Sequence, residues 1–290
     1  MRNNNSLIFP NVGRIGLYFF LFIAALYFLI PLYLILVTSF KSMAEIRWAN
    51  ILSLPQEINF EYWQHAWSAS CTGLDCQGLQ VGFWNSVRIL IPSVVISVLF
   101  GALNGYAMSF WRPKGANLLM IALICGAFIP YQVMLYPLVR ITNTLNIYGS
   151  LTGIVTIHVI FSLPMTTLIF RNYYLTLPME LFKAARVDGA GFCRIFISIV
   201  LPLSVPIIAV ATILQVTNIW NDFLLGMIFA GKENLPMTVQ LNNIVNSQLS
   251  ERTYNIDMAA TLLTAAVPLA VYFLSGKYFV RGIASGAVKG

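Results

Sequence analysis

Apolar residues occur in this chain as six long blocks separated by polar breaks. The first covers about 15–40 (IGLYFFLFIAALYFLIPLYLILVTSF), and the others cover about 84–110, 117–138, 150–170, 203–230 and 258–280. Each supplies the ~20 residues that a helix needs to cross ~30 Å of hydrocarbon, so the pattern predicts six membrane-spanning helices. The first block is too long, and too poor in small residues at its end, for a cleaved signal peptide. It is expected to be retained.

Composition supports this reading. The chain has 290 residues, 58% of them hydrophobic and 9% charged, and a mean hydropathy of +0.77. A soluble domain carries about 25% charged residues, so a soluble globular fold is excluded. The net charge of +7 would point to nucleic acid on a soluble surface, but here the charges occupy the breaks between blocks. With the N-terminus inside, eleven of the seventeen Lys and Arg residues fall in inner breaks, where Glu180 and Asp188 are the acids. The positive-inside rule then places both termini in the cytoplasm. Three regions follow: 1–82 with a tail, the first helix and an outer loop; 83–280 with the remaining helices and a long inner loop at 171–202; and a cytoplasmic tail at 281–290. The outer loop carries Trp63, His65 and Trp67, expected to pack on the membrane surface.

The inner loop has a pattern of its own. Pro178 suits a first helical position, Glu180 suits the positive end of a helix, and Asp188-Gly189 ends the run because Gly accepts the left-handed conformation. Phe192, Ile195, Phe196, Ile199, Val200 and Leu203 then repeat at helical spacing, and Pro202 and Pro206 mark a bend into the fifth block. Two short helices joined at an elbow are predicted, with Lys183, Arg186 and Arg194 on their polar sides. Such an elbow either docks into a groove on a cytoplasmic partner or anchors the loop at the membrane interface.

Other residues have two readings. Asp222, flanked by Asn218, Trp220 and Asn221, is an acid inside an apolar block and hence a functional candidate. It serves either a polar pathway or a structural contact near the outer end of the fifth helix. His158 has no acidic partner at helical spacing and reads as an interior hydrogen-bonded residue. Gly101 and Gly105 form a small-xxx-small face for close helix packing, within the chain or with another subunit, and Arg88 and Arg140 are expected to snorkel at the outer rim. Cys71 and Cys76 either pair across CTGLDC in an oxidising compartment or stand as free thiols, while Cys125 and Cys193 read as packing residues. GMIFAGKE (226–233) approaches a phosphate-binding loop, but Glu233 replaces the magnesium-ligating hydroxyl and no strand precedes it. No metal-ligand spacing and no catalytic constellation is present in the sequence, so no enzyme is expected.

The loop residues Ala184, Ala185, Asp188, Gly189, Ala190, Phe196, Ile199, Leu201 and Pro202 closely resemble the cytoplasmic-loop motif of ABC importer permeases, with Lys183 where that family usually has glutamate and Glu180 one turn earlier. Phe83-Trp84-Asn85-Ser86, Ile129-Pro130-Tyr131-Gln132, Trp220-Asn221-Asp222-Phe223 and Gly286-Ala287-Val288-Lys289-Gly290 are similar to the carbohydrate-uptake branch, in particular the second membrane subunit of maltose-type transporters. The resemblance implies an all-α permease with six transmembrane helices (the type I importer fold) and multi-pass residence in the bacterial inner membrane. It also implies partners: a second permease subunit, an ATPase subunit dimer and an extracytoplasmic solute-binding protein that delivers a sugar. Lys183, Ala184, Ala185, Asp188, Gly189, Ala190, Phe196, Leu201 and Pro202 would couple the chain to the ATPase, with Lys289 and Gly290 reaching toward it. ATP and magnesium would reside on that partner, so this chain needs no cofactor. An ion-coupled secondary transporter is the alternative class, although one acid and one histidine on different helices suit it poorly. Glucose, a short oligosaccharide, a polyol and glycerol phosphate all remain open as substrates.

Overall fold

A computed structural model describes residues 9–71, 75–246 and 252–287. In chain order the helices are α1 (Phe9–Thr38), α2 (Met43–Trp48), α3 (Glu61–Ser68), α4 (Gln80–Tyr106), α5 (Ala116–Phe128), α6 (Tyr131–Thr144), α7 (Leu151–Tyr174), α8 (Met179–Val187), α9 (Phe192–Ile195), α10 (Leu201–Leu203), α11 (Val205–Trp220), α12 (Leu224–Phe229), α13 (Met237–Asn246) and α14 (Tyr254–Ala287). Single π turns extend α4 at Ala107–Trp111 and join α9 to α10 at Phe196–Val200. Two compact units result, one of 1–78 with 244–263 and one of 79–243 with 264–290.

Among the described residues, four stretches are long and apolar enough to cross a membrane unbroken: Gly13–Thr38, Gln80–Trp111, Leu151–Tyr174 and Tyr254–Gly276. The six-span count holds when two bent pairs are each taken as one span: α5 with α6, turned by 104°, and Phe192–Leu203 with α11, turned by 78°. The first bend replaces the straight helix expected over 117–138. Ile129 precedes Pro130 and is extended (φ −69°, ψ 124°), the conformation toward which a proline ring biases the residue before it. Pro31, Pro92, Pro164 and Pro268 nevertheless sit inside continuous helices, where membrane helices tolerate proline. The second bend falls at buried Ser204, whose hydroxyl donates to the Val200 carbonyl (2.5 Å) and meets the Tyr174 hydroxyl at 3.1 Å. The fifth span also stops earlier than expected, at Trp220, and α12 begins after the break.

In the first unit, α1 exposes apolar side chains along nearly its whole described length, as a helix facing lipid or a neighbouring subunit must. The segment that follows is held by several contacts over residues 39–71. Ser42 and Glu45 form a reciprocal capping box on α2, the second Glu45 oxygen accepts from the Gln56 amide at 2.7 Å, and Phe40 stacks on Trp63 with 5.5 Å between centroids. Buried Lys41 donates to the Asn50 and Ile51 carbonyls, and its own carbonyl accepts from Asn255 at 3.1 Å.

The second unit is built on α4 against α7. Gly101 and Gly105 make the contact possible: a Cβ at Gly101 would lie 2.5 Å from the Thr166 Cβ, and one at Gly105 would lie 2.8 Å from the Arg171 backbone nitrogen. The small-residue face is thus used within the chain. α11 joins through Gln215, which accepts from Ser162 at 2.7 Å, and Trp220 donates its indole N–H to the Thr264 carbonyl at 3.0 Å.

Candidate functional site

The elbow forms from α8, the turn after it, and the α9–π–α10 run. Asp188 caps α8, Gly189 takes φ 77°, and two backbone bonds close the end: Gly189 N–H to Arg186 O (3.1 Å) and Ala190 N–H to Ala185 O (2.9 Å). These are the two bonds of a Schellman motif, which satisfies the last helical carbonyls and requires a left-handed residue where Gly189 stands. The Asp-Gly-Ala triplet is therefore a helix terminator whose geometry is set by backbone chemistry. Pro178 sits one position earlier than expected, as the N-cap rather than the first helical residue.

The helix α8 has two distinct faces. Phe182 and Ala185 are buried, whereas Lys183, Ala184, Val187, Asp188 and Gly189 are exposed, and Ala190 is half-buried. Beyond the turn, Ile195 and Val200 are buried, and Phe196, Ile199 and Leu201 are half-buried, while Pro202 is exposed. Leu203, expected on the apolar face, is 39% exposed, because the π turn at Phe196–Val200 takes up an extra residue and rotates the register.

What holds the buried face was not evident from the sequence. The last turn of α4 and its π extension supply an aromatic bracket. Phe110 stacks on Phe182 at 3.5 Å between centroids, and Tyr106 lies 4.7 Å from Phe192 and 5.3 Å from Phe196. The Trp111 indole donates to the Tyr106 hydroxyl (2.7 Å), which donates on to the Phe192 carbonyl (3.2 Å). Arg186 lies over the Trp111 ring, 5.1 Å from its centroid, an arrangement worth about 0.5–1 kcal/mol where exposed. Tyr106, Phe110, Trp111, Phe182 and Arg186, with Met179, Lys183 and Ile195, line a cleft of about 310 Å³. The available signal is the run of aromatics Tyr106, Phe110 and Trp111 at the end of the second apolar block.

The four residues grouped around the fifth span do not share one surface. Asn218 and Asn221 are exposed, whereas Trp220 is buried, edge-on to Phe83 at 5.7 Å. Asp222 is half-buried and its carboxylate accepts from the Leu225 (3.3 Å) and Gly226 (2.8 Å) amides, capping α12. Its backbone carbonyl accepts from Thr238 at 2.5 Å. His158 Nε2 also stands 3.9 Å from Asp222, an acidic neighbour that helical spacing within α7 did not disclose because it comes from another element.

Other candidate residues are placed as follows. Cys71 and Cys76 are disulfide-bonded, and Cys125 and Cys193, expected to pack inside, are exposed free thiols. Cys125 lies on α5, whose buried surface is limited to Met120, so most of that helix faces outward. The Gly226–Glu233 stretch ends α12 and turns at Gly231 (φ 70°), where an added Cβ would meet Gly149 O at 2.2 Å. That loop packs on backbone and presents no phosphate cradle. Lys289 and Gly290 lie outside the described residues.

Comparison with known proteins adds to this geometry. Residues 93–285 match the family described as binding-protein-dependent transport system inner membrane component. The chain is 41% identical over 180 residues to a probable ABC transporter permease protein of Pyrococcus horikoshii, a match covering 62% of this chain and 65% of that protein. It is 30% identical over 294 residues to the arabinooligosaccharides transport system permease protein AraQ of Halalkalibacterium halodurans, covering 100% of both. Its fold is similar to a chain of a bacterial ABC transporter involved in the import of the acidic polysaccharide alginate, with TM-score 0.76, 20% identity, and coverage of 96% of this chain and 99% of that one.

Proposed function

Because the chain belongs to the binding-protein-dependent transport system inner membrane component family, we propose that it is one permease subunit of an ATP-binding-cassette importer that carries a carbohydrate across the bacterial inner membrane. An extracytoplasmic binding protein delivers the sugar, a second permease completes the pathway, and an ATPase dimer on the cytoplasmic side holds ATP and magnesium. Hydrolysis occurs in that partner and translocation in this chain. The carbohydrate assignment is supported by relatives that are permeases for arabinooligosaccharides and by the fold shared with an alginate importer.

The observation that carries the coupling role is the two-faced elbow. One face is fixed by aromatic packing to α4, and the other presents Lys183, Ala184, Asp188 and Gly189. A rigid, convex and well-terminated helix pair of this kind suits insertion into a groove on the ATPase. Motion of that groove then moves the transmembrane helices without melting the elbow. Ala184 and Gly189 keep the docking face low, Ala185 and Ala190 permit close packing behind it, and Phe196, Leu201 and Pro202 carry the chain back into the membrane. Asn218 and Asn221 are the residues of the fifth-span patch available to sugar hydroxyls, and Trp220 and Asp222 hold the break that presents them.

The test is to purify the tagged chain in mild detergent and identify co-purifying proteins, then measure uptake in vesicles. Recovery of an ATPase and a second permease, with uptake that requires ATP, is the expected result. Uptake that ignores ATP and collapses with a proton or sodium gradient would overturn the proposal.

A further inference from the structure

Hydrogen bonds clasp α4 at both of its ends. At the outer end, buried Asn85 donates its side-chain amide to the carbonyls of Glu233 (2.9 Å) and Leu235 (3.2 Å), and buried Ser86 accepts from the Met237 amide at 2.8 Å. One turn earlier, Gly82 leaves no room for a side chain, since a Cβ there would meet Gln240 Cγ at 2.6 Å. The start of α13 and the turn before it are thus held on the first turns of α4. At the inner end, the Trp111–Tyr106–Phe192 relay and the Phe110–Phe182 stack hold the elbow. The whole of α4 is 27 residues, about 40 Å at 1.5 Å per residue, and the clasps lie near its two ends. The glycine face at Gly101 and Gly105 binds this stretch to α7 at backbone distance.

An element fixed at both ends and locked along its length has few arrangements other than rigid displacement, and two sites that bias one such element are coupled reciprocally. We infer that α4 is the rod joining the ATPase-facing elbow to the outer segment 233–243, with Tyr106 and Asn85 as positioning residues at its two ends. The inference rests on the importer reading above. On that reading the binding protein arrives at the outer face and the ATPase closes at the inner one, and both events act on α4. Neither residue touches sugar or nucleotide, and each acts by holding the helix to the segment it must move.

The experiment uses the whole importer (this chain with its second permease, ATPase and sugar-loaded binding protein) in proteoliposomes, comparing wild type with Tyr106→Phe, Asn85→Ala and the double variant. Tyr106→Phe removes only the hydroxyl that relays Trp111 to Phe192, and Asn85→Ala removes the carboxamide that donates to the Glu233 and Leu235 carbonyls. Assembly yield and basal ATP hydrolysis are expected to be unchanged. Stimulation of hydrolysis by the binding protein, and sugar moved per ATP, are expected to fall about tenfold in each single variant, the scale of a lost buried hydrogen bond. The double variant should be no worse than the poorer single, because both act on one element. Wild-type stimulation in either single variant, multiplicative losses in the double, or losses that track a lower assembly yield would each overturn the inference. ATP-driven wild-type uptake with indifferent variants sinks this inference alone, whereas wild-type uptake without ATP sinks the importer reading as well.

Discussion

Gly189 illustrates how one residue acts through conformation alone. Its φ is 77°, and an added Cβ would find nothing within 4 Å. Gly189→Ala therefore meets no clash, but the left-handed conformation costs an L-residue about 1–2 kcal/mol. Gly189→Asn is milder because Asn visits that region, and Gly189→Pro cannot adopt it. Uptake is expected to fall in the order wild type, Asn, Ala, Pro, with equal membrane insertion throughout; wild-type uptake by the Pro variant would refute the coupling role. Lys183 is exposed, and Lys183→Glu is expected to leave uptake within about twofold, the scale of a surface change. A severe defect there would show that the partner groove is matched to lysine. Glu45, in the outer loop, makes a pH prediction. Its carboxyl is held below the usual range first by the Gln56 amide and then by the Ser42 amide. Because the native pKa is depressed, the contribution is present above the ordinary carboxylate pKa and is lost as pH falls through the lowered native value. Exchange protection at the Ser42 and Gln56 amides, corrected for intrinsic rates, should follow that course and be flat with pH in Glu45→Gln.

Close approach is decisive for whole elements. The α4–α7 contact depends on absent side chains, and at Gly105 the obstructing atom is backbone (Arg171 N, 2.8 Å), which cannot rotate away. Gly105→Ala is expected to destabilise the second unit by about 1–3 kcal/mol through overpacking. Gly16→Ala in α1, where nothing lies within 4 Å, should be neutral or slightly stabilising, as Ala favours helix. Thermal unfolding of the two variants in the same detergent checks the contrast. Bends belong to this scale too. Pro130 marks a break, with Ile129 before it extended and Tyr131 starting a new helix, whereas Pro31, Pro92, Pro137, Pro164 and Pro268 lie inside helices, so a proline in an apolar block does not by itself signal a bend.

At the scale of the whole molecule, two cysteine sites on opposite sides of the expected topology report its sidedness. Cys193 is exposed on the elbow, and Cys71 is bonded to Cys76 in the outer loop. In a Cys125→Ser background, a membrane-impermeant maleimide should label the chain in inside-out vesicles and not in intact cells, and bound ATPase should protect the site. Labelling from the outside would reverse the topology.

The sequence by itself determined where the apolar spans fall and the elbow with its Asp-Gly-Ala terminator, because hydropathy and backbone capping are local properties that need no knowledge of neighbours. Tertiary structure alone decided which residues hold that elbow and which side chains of the fifth span face outward. Tyr106 meets Phe192, Asn85 meets Glu233, and His158 approaches Asp222 only because helices distant in sequence pack side by side. Such contacts depend on crossing geometry, which glycine faces, π turns and bends set and which no period in the chain records.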